Sequence, residues 1–199
     1  ENGVVFHCND SSRGLRLDIS ATLCPHSGVA VLKSKLMNDA SSECIVDWMS
    51  APAVPVPQHL SQYLQFSGRW CAEFAIDRRT VPTGLVKVEN RRGRTSHEAF
   101  PGTIMLSPTT DEESGPCFGV HLGWSGNHRM VLERLTTGEC QLQMGVLHLS
   151  REGRLQAGES METPEIFIAQ SDNGLNAMSQ QFHSYIRHSI LKFPDPQKP

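Results

Sequence analysis

The chain has 199 residues, room for one large domain or two small ones at about 100–200 residues each. It carries 21 acidic against 18 basic residues, a formal charge of −3, so no global positive field exists to hold a phosphate backbone and nucleic acid is not an expected partner. No stretch approaches the roughly 18 consecutive apolar residues of a membrane helix, so no membrane contact is expected, while 38% hydrophobic content argues for a folded chain with a core.

In chain order, the opening Glu1 brings neither an initiator Met nor a charged-then-apolar leader, and reads as a processed or cut start. Residues 14–23 give the clearest strand: Leu15, Leu17, Ile19, Ala21 and Leu23 alternate with Arg16, Asp18, Ser20 and Thr22, the period of a half-buried strand. Further strands are expected over 29–37, 44–50, 70–76, 85–89, 118–124, 129–135, 141–149 and 166–169. Turn-forming residues separate them: His26-Ser27-Gly28, Ser125-Gly126-Asn127, Thr136-Thr137-Gly138-Glu139 and Arg151-Glu152-Gly153-Arg154. The rhythm predicts a mainly β chain folded as an antiparallel β-sandwich over 1–170. Within it, the three prolines of Ala-Pro-Ala-Val-Pro-Val-Pro (51–57) predict an extended edge or crossing segment. From 171 the pattern turns helical, with Leu175, Met178, Phe182, Tyr185 or Ile186, and Ile190 on one face, Ser171 and Asp172 as capping candidates, and a stop at Phe193-Pro194. The proline-rich end, 193–199, reads as a linker, so 171–199 is expected to form a helix and linker apart from the sandwich.

No two of the six cysteines stand at C-x-x-C spacing, and the nine histidines form no H-x-x-x-H pair, so no metal site and no cofactor is expected. Six cysteines allow three disulfides; free buried thiols in a reducing cytosol are the alternative favoured by their positions within apolar strands. There is no nucleophile elbow, P-loop, dinucleotide fingerprint or H-E-x-x-H, and the acidic run Asp111-Glu112-Glu113 reads as a solvated loop. The turn bearing Arg91, Arg92 and Arg94 suits either an anion or plain solvation.

The densest polar–aromatic cluster spans 119–129. Trp124 offers a stacking platform for the C–H face of a sugar, and Asn127 and Arg129 offer directional donors for hydroxyls; His97 belongs to a second such cluster at 92–97. Against this stands a tight hairpin in which Gly126 and Asn127 adopt positive φ and Trp124 packs on the sheet.

The ordered series Ser67-Gly68-Arg69-Trp70 with Glu73, then 91–102 (RRGRTSHEAFPG), 110–129 (TDEESGPCFGVHLGWSGNHR), 162–165 (ETPE) and 171–187 (SDNGLNAMSQQFHSYIR) resembles the bacterial α-galactosidases of glycoside hydrolase family 36, the melibiase type. The resemblance covers most of the chain and implies the family's N-terminal β-supersandwich domain, lacking a first portion, with a C-terminal linker helix toward a (β/α)₈ catalytic barrel. In that family, retaining hydrolysis of terminal α-linked galactose from melibiose- or raffinose-type oligosaccharides rests on two barrel aspartates. Neither the K-W-D nucleophile motif nor the glycine-rich acid/base motif occurs here, so no catalytic residue is expected. The implied role is that of a non-catalytic domain that packs on its own barrel, supports the pocket for α-galactosides and the homo-oligomer, and resides in a bacterial cytoplasm. Trp124, Asn127, Arg129 and His97 are the substrate-facing candidates. Two alternatives are an independent carbohydrate-binding module and a purely structural interaction domain.

Overall fold

A computed structural model describes residues 2–95 and 97–192. Its strands are β1 (Gly3–Asp10), β2 (Leu15–Leu23), β3 (Ala30–Asn38), β4 (Cys44–Ile45), β5 (Met49–Ser50), β6 (Val54–Pro55), β7 (Gln62–Arg69), β8 (Ala72–Thr80), β9 (Gly84–Asn90), β10 (Gly102–Leu106), β11 (Cys117–Leu122), β12 (His128–Arg134), β13 (Cys140–Val146), β14 (Arg154–Leu155), β15 (Ser160–Glu162) and β16 (Ile166–Ser171). A helix, α1 (Gly174–Tyr185), follows and runs into a π-helical turn over Ile186–Ile190.

Every ladder between these strands is antiparallel. The large sheet runs β1-β2-β3-β16-β11-β10-β7-β8, with β15 also on β3; the small sheet runs β5-β13-β12-β9, with β6 also on β13; β14 and β4 form a separate pair. The expected sandwich is therefore present. Strand parity decides where each residue goes. Phe118, Val120 and Leu122 of β11 and Ile166 of β16 point inward and meet Met130 and Leu132 of β12 and Leu142 and Met144 of β13, forming the main core. Cys117 of β11 and Ala169 of β16 point to the opposite face, where α1 lays Met178, with Leu175 and Phe182 alongside, over Val29, Leu64 and Leu106. Gly119 leaves room for this contact: a Cβ there would stand 2.8 Å from the Met178 sulfur and 2.9 Å from the Phe182 ring.

The run at 44–50 breaks in two, because β4 pairs with β14 while β5 pairs with β13 in the small sheet. The strand expected at 70 starts at Ala72, since Trp70 and Cys71 form a hairpin tip with Cys71 at φ 62° and its N–H held by Glu73 (2.9 Å). The proline segment is an edge piece, as expected: β6 pairs with β13 through Val54 and Pro55. Ser125-Gly126-Asn127 is not a hairpin but a crossing between sheets, from β11 to β12, and neither Gly126 nor Asn127 has positive φ. All six cysteines are free; Cys117 and Cys140 are buried, whereas Cys8 and Cys71 are exposed, so buried thiols describe only part of the set.

The capping of α1 differs from the expectation at Ser171 and Asp172. Its N-cap is Asn173, without a side-chain cap, and Ser171 instead accepts the Asn173 N–H (2.9 Å). The first helical N–H groups are met by the acidic loop: Gly174 donates to the Gly115 carbonyl (3.0 Å), Leu175 to Asp111 (3.0 Å) and Asn176 to Glu112 (2.9 Å). The Asn176 amide also donates to Glu113 (2.6 Å). The acidic run is thus a docked cap for the helix, its negative charge placed at the positive end of the dipole, rather than a merely solvated loop. Helical structure ends at Ile190, with Leu191 extended, three residues before the expected stop; the linker over 193–199 lies outside the described residues.

Candidate functional site

The sequence candidates converge only in part. Trp124 and Asn127 line one open groove of about 670 Å³ together with Gly93, His148, Glu152 and Glu162. It forms where the β11–β12 crossing meets the loop after β9. Asn90, 2% exposed at the end of β9, stitches this junction: its amide donates to the Arg94 carbonyl (2.6 Å) and the Gly126 carbonyl (3.4 Å), and its oxygen accepts the Arg92 N–H (3.1 Å). From the other side, the Asn127 side-chain oxygen accepts the Gly93 N–H (2.7 Å) and Thr95 donates its N–H to Ser125 (2.5 Å).

Trp124 is 43% exposed. Its indole N–H donates to the Asn127 carbonyl (3.1 Å), which fixes the ring, and a Cβ on Gly126 would come 2.6 Å from that same nitrogen. The glycine is there for a close approach to the indole, not for an unusual φ. An oriented aromatic ring beside amide and carboxylate groups can stack on a sugar's C–H face and bond its hydroxyls.

Arg129 and His97 do not line this groove. Arg129 lies on the outer face of β12, where its Nε donates to Glu89 (2.7 Å) and its guanidinium stands 5.2 Å from the Trp48 ring centroid. Burial would push the Glu89 carboxyl up, but hydrogen bonds from Arg91 and Arg129 overcome it and hold the pKa at about 2. With Arg91 on Glu89 and Arg92 paired to Glu98, two of the three arginines of the basic turn are engaged by carboxylates of this chain. His97 sits by the β7–β8 tip, where its charge helps lower the Glu73 carboxyl, after the larger effect of the Cys71 and Glu73 N–H groups. His128, within the same sequence cluster as Trp124, is wholly buried, and burial depresses its pKa.

Glu152, Glu162 and His148 escaped the sequence reading as groove residues; the only signal was the 162–165 motif itself, quoted without a role. The groove holds two carboxylates, Glu152 and Glu162. Glycoside hydrolysis needs one carboxylic acid kept protonated near neutrality, and Lys33 and Lys35 pull Glu162 the opposite way. Glu152 is engaged as an acceptor for the Leu149 N–H (2.7 Å). Among the described residues no cluster of His, Cys, Asp or Glu is arranged to hold a metal, and no helix is long and apolar enough to cross a membrane.

A second groove, also about 670 Å³, lies on the other face of the large sheet between α1 and the β7–β8 hairpin. Phe66, Ile76, Phe100, Ile104, Phe167 and Phe182 dominate its lining. Phe100 organises its aromatic end, packing edge-on to Phe66 (5.4 Å between centroids), Phe74 (5.8 Å) and His121 (5.2 Å).

Comparison with known proteins agrees with this architecture. Residues 1–156 match the model of the glycosyl hydrolase family 36 N-terminal domain. The chain is 37% identical over 195 residues to an α-galactosidase of Escherichia coli, covering 98% of this chain and 27% of that protein. It is 29% identical over 192 residues to the α-galactosidase AgaA of Geobacillus stearothermophilus, covering 96% of this chain and 26% of that one. A crystal structure of AgaA superposes with a TM-score of 0.87 at 26% identity, again over 96% of this chain and 26% of the other. The chain thus spans about a quarter of the length of the relatives it matches. By its domain match and its fold, it belongs to glycoside hydrolase family 36 and corresponds to the N-terminal β-sandwich domain of that family's α-galactosidases.

Proposed function

We propose that this chain is the non-catalytic domain of a longer, cytoplasmic bacterial α-galactosidase that releases terminal α-linked galactose with retention of configuration. One observation carries the reading: the similarity to relatives named α-galactosidases and the shared fold extend over nearly the whole chain but over only a quarter of those relatives. Structures of AgaA variants with raffinose and with stachyose show which sugars such a relative accommodates and motivate the same substrate class here. In this reading the rest of the polypeptide, including a catalytic barrel, covers the apolar groove beside α1, and the assembled enzyme is a homo-oligomer. The groove's aromatic lining suits a partner that buries apolar surface, and α1 walls it on one side.

The test is hydrolysis of an aryl α-galactoside. The purified 199-residue chain is expected to give no turnover, while the product of a reading frame extended past Pro199 is expected to be active. Turnover by the pure short chain, or a stop codon directly after it, overturns the proposal. A second reading, an independent sugar-binding module, is favoured by the oriented and exposed Trp124. Calorimetry with galactose, melibiose and raffinose separates the two: heat at millimolar ligand supports the module, and its absence removes it.

A further inference from the structure

His128 opens β12 on the strand's inward face, in line with Met130 and Leu132, and is wholly buried by groups of this chain. Its Nδ1 stands 3.2 Å from the Gly126 carbonyl, so the neutral ring carries its proton there, and no protein group among the described residues bonds Nε2. The Gly126 carbonyl also takes the Asn90 amide (3.4 Å), and the Gly126 backbone lies against the Trp124 indole. Asn127, the residue between Gly126 and His128, receives the indole N–H (3.1 Å) and the Leu147 N–H (3.1 Å) on its carbonyl. The imidazole therefore stands at the base of the bonds that orient Trp124 in the polar groove.

A proton on Nε2 places a full charge and a second N–H in the core. The surrounding elements offer that charge little. Its ladder partners, Asn90 of β9 and Val146 of β13, are uncharged. Glu89 and Arg129, one residue along on β9 and β12, point to the outer face and pair with each other (2.7 Å). The crossing over 123–127 has no titratable side chain, and in the loop after β9 Arg91 and Arg92 are held by Glu89 and Glu98 while Arg94 lends its carbonyl to Asn90. From β11 comes His121, itself mostly buried, and the charges of the two imidazoles oppose each other.

We propose that His128 is a proton-sensitive latch of the polar groove: as a neutral ring it holds the β11–β12 crossing and Trp124 in place, and once charged it releases both. Hydrating the imidazolium requires the crossing to lift from the end of the core, because Gly126 and Asn127 lie between the ring and the groove. Trp124 then loses the Asn127 carbonyl that fixes its indole. The direction follows from burial, which holds the folded ring below the ordinary value of 6.5. The released and unfolded forms bind the proton more readily, so the latch is fully in place above about pH 6.5 and is lost as pH falls through the lower folded value. The inference stands on buried groups of this chain and is independent of the galactosidase reading, whose test is enzymatic.

Fluorine NMR of the chain labelled with 5-fluorotryptophan tests it, since three tryptophans give three resonances and Trp124→Phe identifies the one in the groove. On acidification from about pH 8 to about pH 5, the Trp124 resonance is expected to follow a one-proton curve with its midpoint below 6.5, the ratio of released to latched forms rising about tenfold per pH unit. The Trp70 resonance, at the β7–β8 tip, should stay fixed and report an intact sandwich. His128→Asn keeps a side-chain donor for the Gly126 carbonyl but cannot titrate, so Trp124 should no longer respond. His121→Asn should keep the transition and raise its midpoint, because the opposing charge is gone. The parent chain gives a second reading that stands even if His128→Asn fails to fold: one imidazole resonance must titrate with the midpoint of Trp124. A Trp124 resonance that does not respond overturns the proposal, as does a transition that survives His128→Asn or disappears in His121→Asn. Trp70 moving together with Trp124, which marks global unfolding, or the absence of an imidazole sharing the midpoint overturns it equally.

Discussion

The two grooves have the same volume, about 670 Å³, and opposite construction. The apolar one is walled by regular structure: the outer face of β10, β11 and β16, a helix laid across it, and aromatic rings at one end. The polar one is walled by irregular chain, and main-chain hydrogen bonds to Asn90 and Asn127 hold its shape. Regular elements satisfy their own backbone and leave side chains free to present apolar surface. Loops must spend polar side chains on each other's backbone, and only what remains is available to a ligand. The first groove is thus suited to a permanent neighbour and the second to a small polar molecule.

Breaking the apolar groove takes one methyl group. Gly174, at φ 78°, starts α1 where the acidic loop caps it, and a Cβ would collide with the Ser114 backbone nitrogen and lie 2.7 Å from the Glu112 oxygen. Gly174→Ala combines left-handed strain with a backbone clash, and we expect a loss of about 3 kcal/mol in urea unfolding, with exposure of the surface under α1 reported by dye binding. The polar groove breaks at Asn90. Asn90→Ala removes the partner of the Arg94 and Gly126 carbonyls and of the Arg92 N–H at a part-buried junction, for an expected loss of about 2 kcal/mol. Equal stability in that variant would show that water replaces the amide and that the loops hold themselves.

Glu89 sets the pH dependence of the same neighbourhood. Its folded pKa is lowered from 4.5 to about 2, so its contribution is complete above about pH 4.5 and is lost as pH falls through about 2. Allowing for its residual exposure, the contribution is about 2 kcal/mol. Glu89→Gln should therefore be destabilised at neutral pH and converge on the parent chain near pH 2, measured as the difference between two acid-unfolding curves. A difference that persists unchanged to pH 2 would assign the loss to packing rather than charge.

Side-chain period made much of the fold legible: the alternation at 15–23 became β2 and the three-to-four spacing from Leu175 became α1. Legibility failed where both faces of a strand carry similar residues. The consecutive Val4, Val5 and Phe6 of β1 give no alternation because neither face is well covered, and the short run Gly102–Leu106 hides β10 because both its faces are buried. Tertiary contacts were the other blind spot. Nothing local says that Asp111 and Glu112 lend carbonyls to a helix more than sixty residues away, or that Arg129 turns outward to Glu89, because both depend on which strands become neighbours. Trp124 and Asn127 were legible as partners because they are three residues apart on one crossing; Glu162 joined them only through the pairing of β15 with β3.

The smallest expected effect on stability is the most informative about function. Trp124 is 43% exposed and contributes one hydrogen bond, from its indole to the Asn127 carbonyl, so Trp124→Ala should cost only about 1 kcal/mol. Its effect elsewhere separates the possible uses of the polar groove. If the ring is a sugar platform, Trp124→Ala abolishes the calorimetric signal with raffinose while the urea midpoint barely moves, and Trp124→Phe restores part of it, because stacking survives loss of the indole N–H. If the ring serves the architecture of the crossing, the order reverses: Trp124→Phe loses the hydrogen bond and destabilises almost as much as alanine, and neither variant alters sugar binding. Gly126→Ala is the matched control. It pushes a methyl against the indole nitrogen without removing the ring, so a platform role predicts weakened binding from a displaced face, whereas an architectural role predicts lost stability alone.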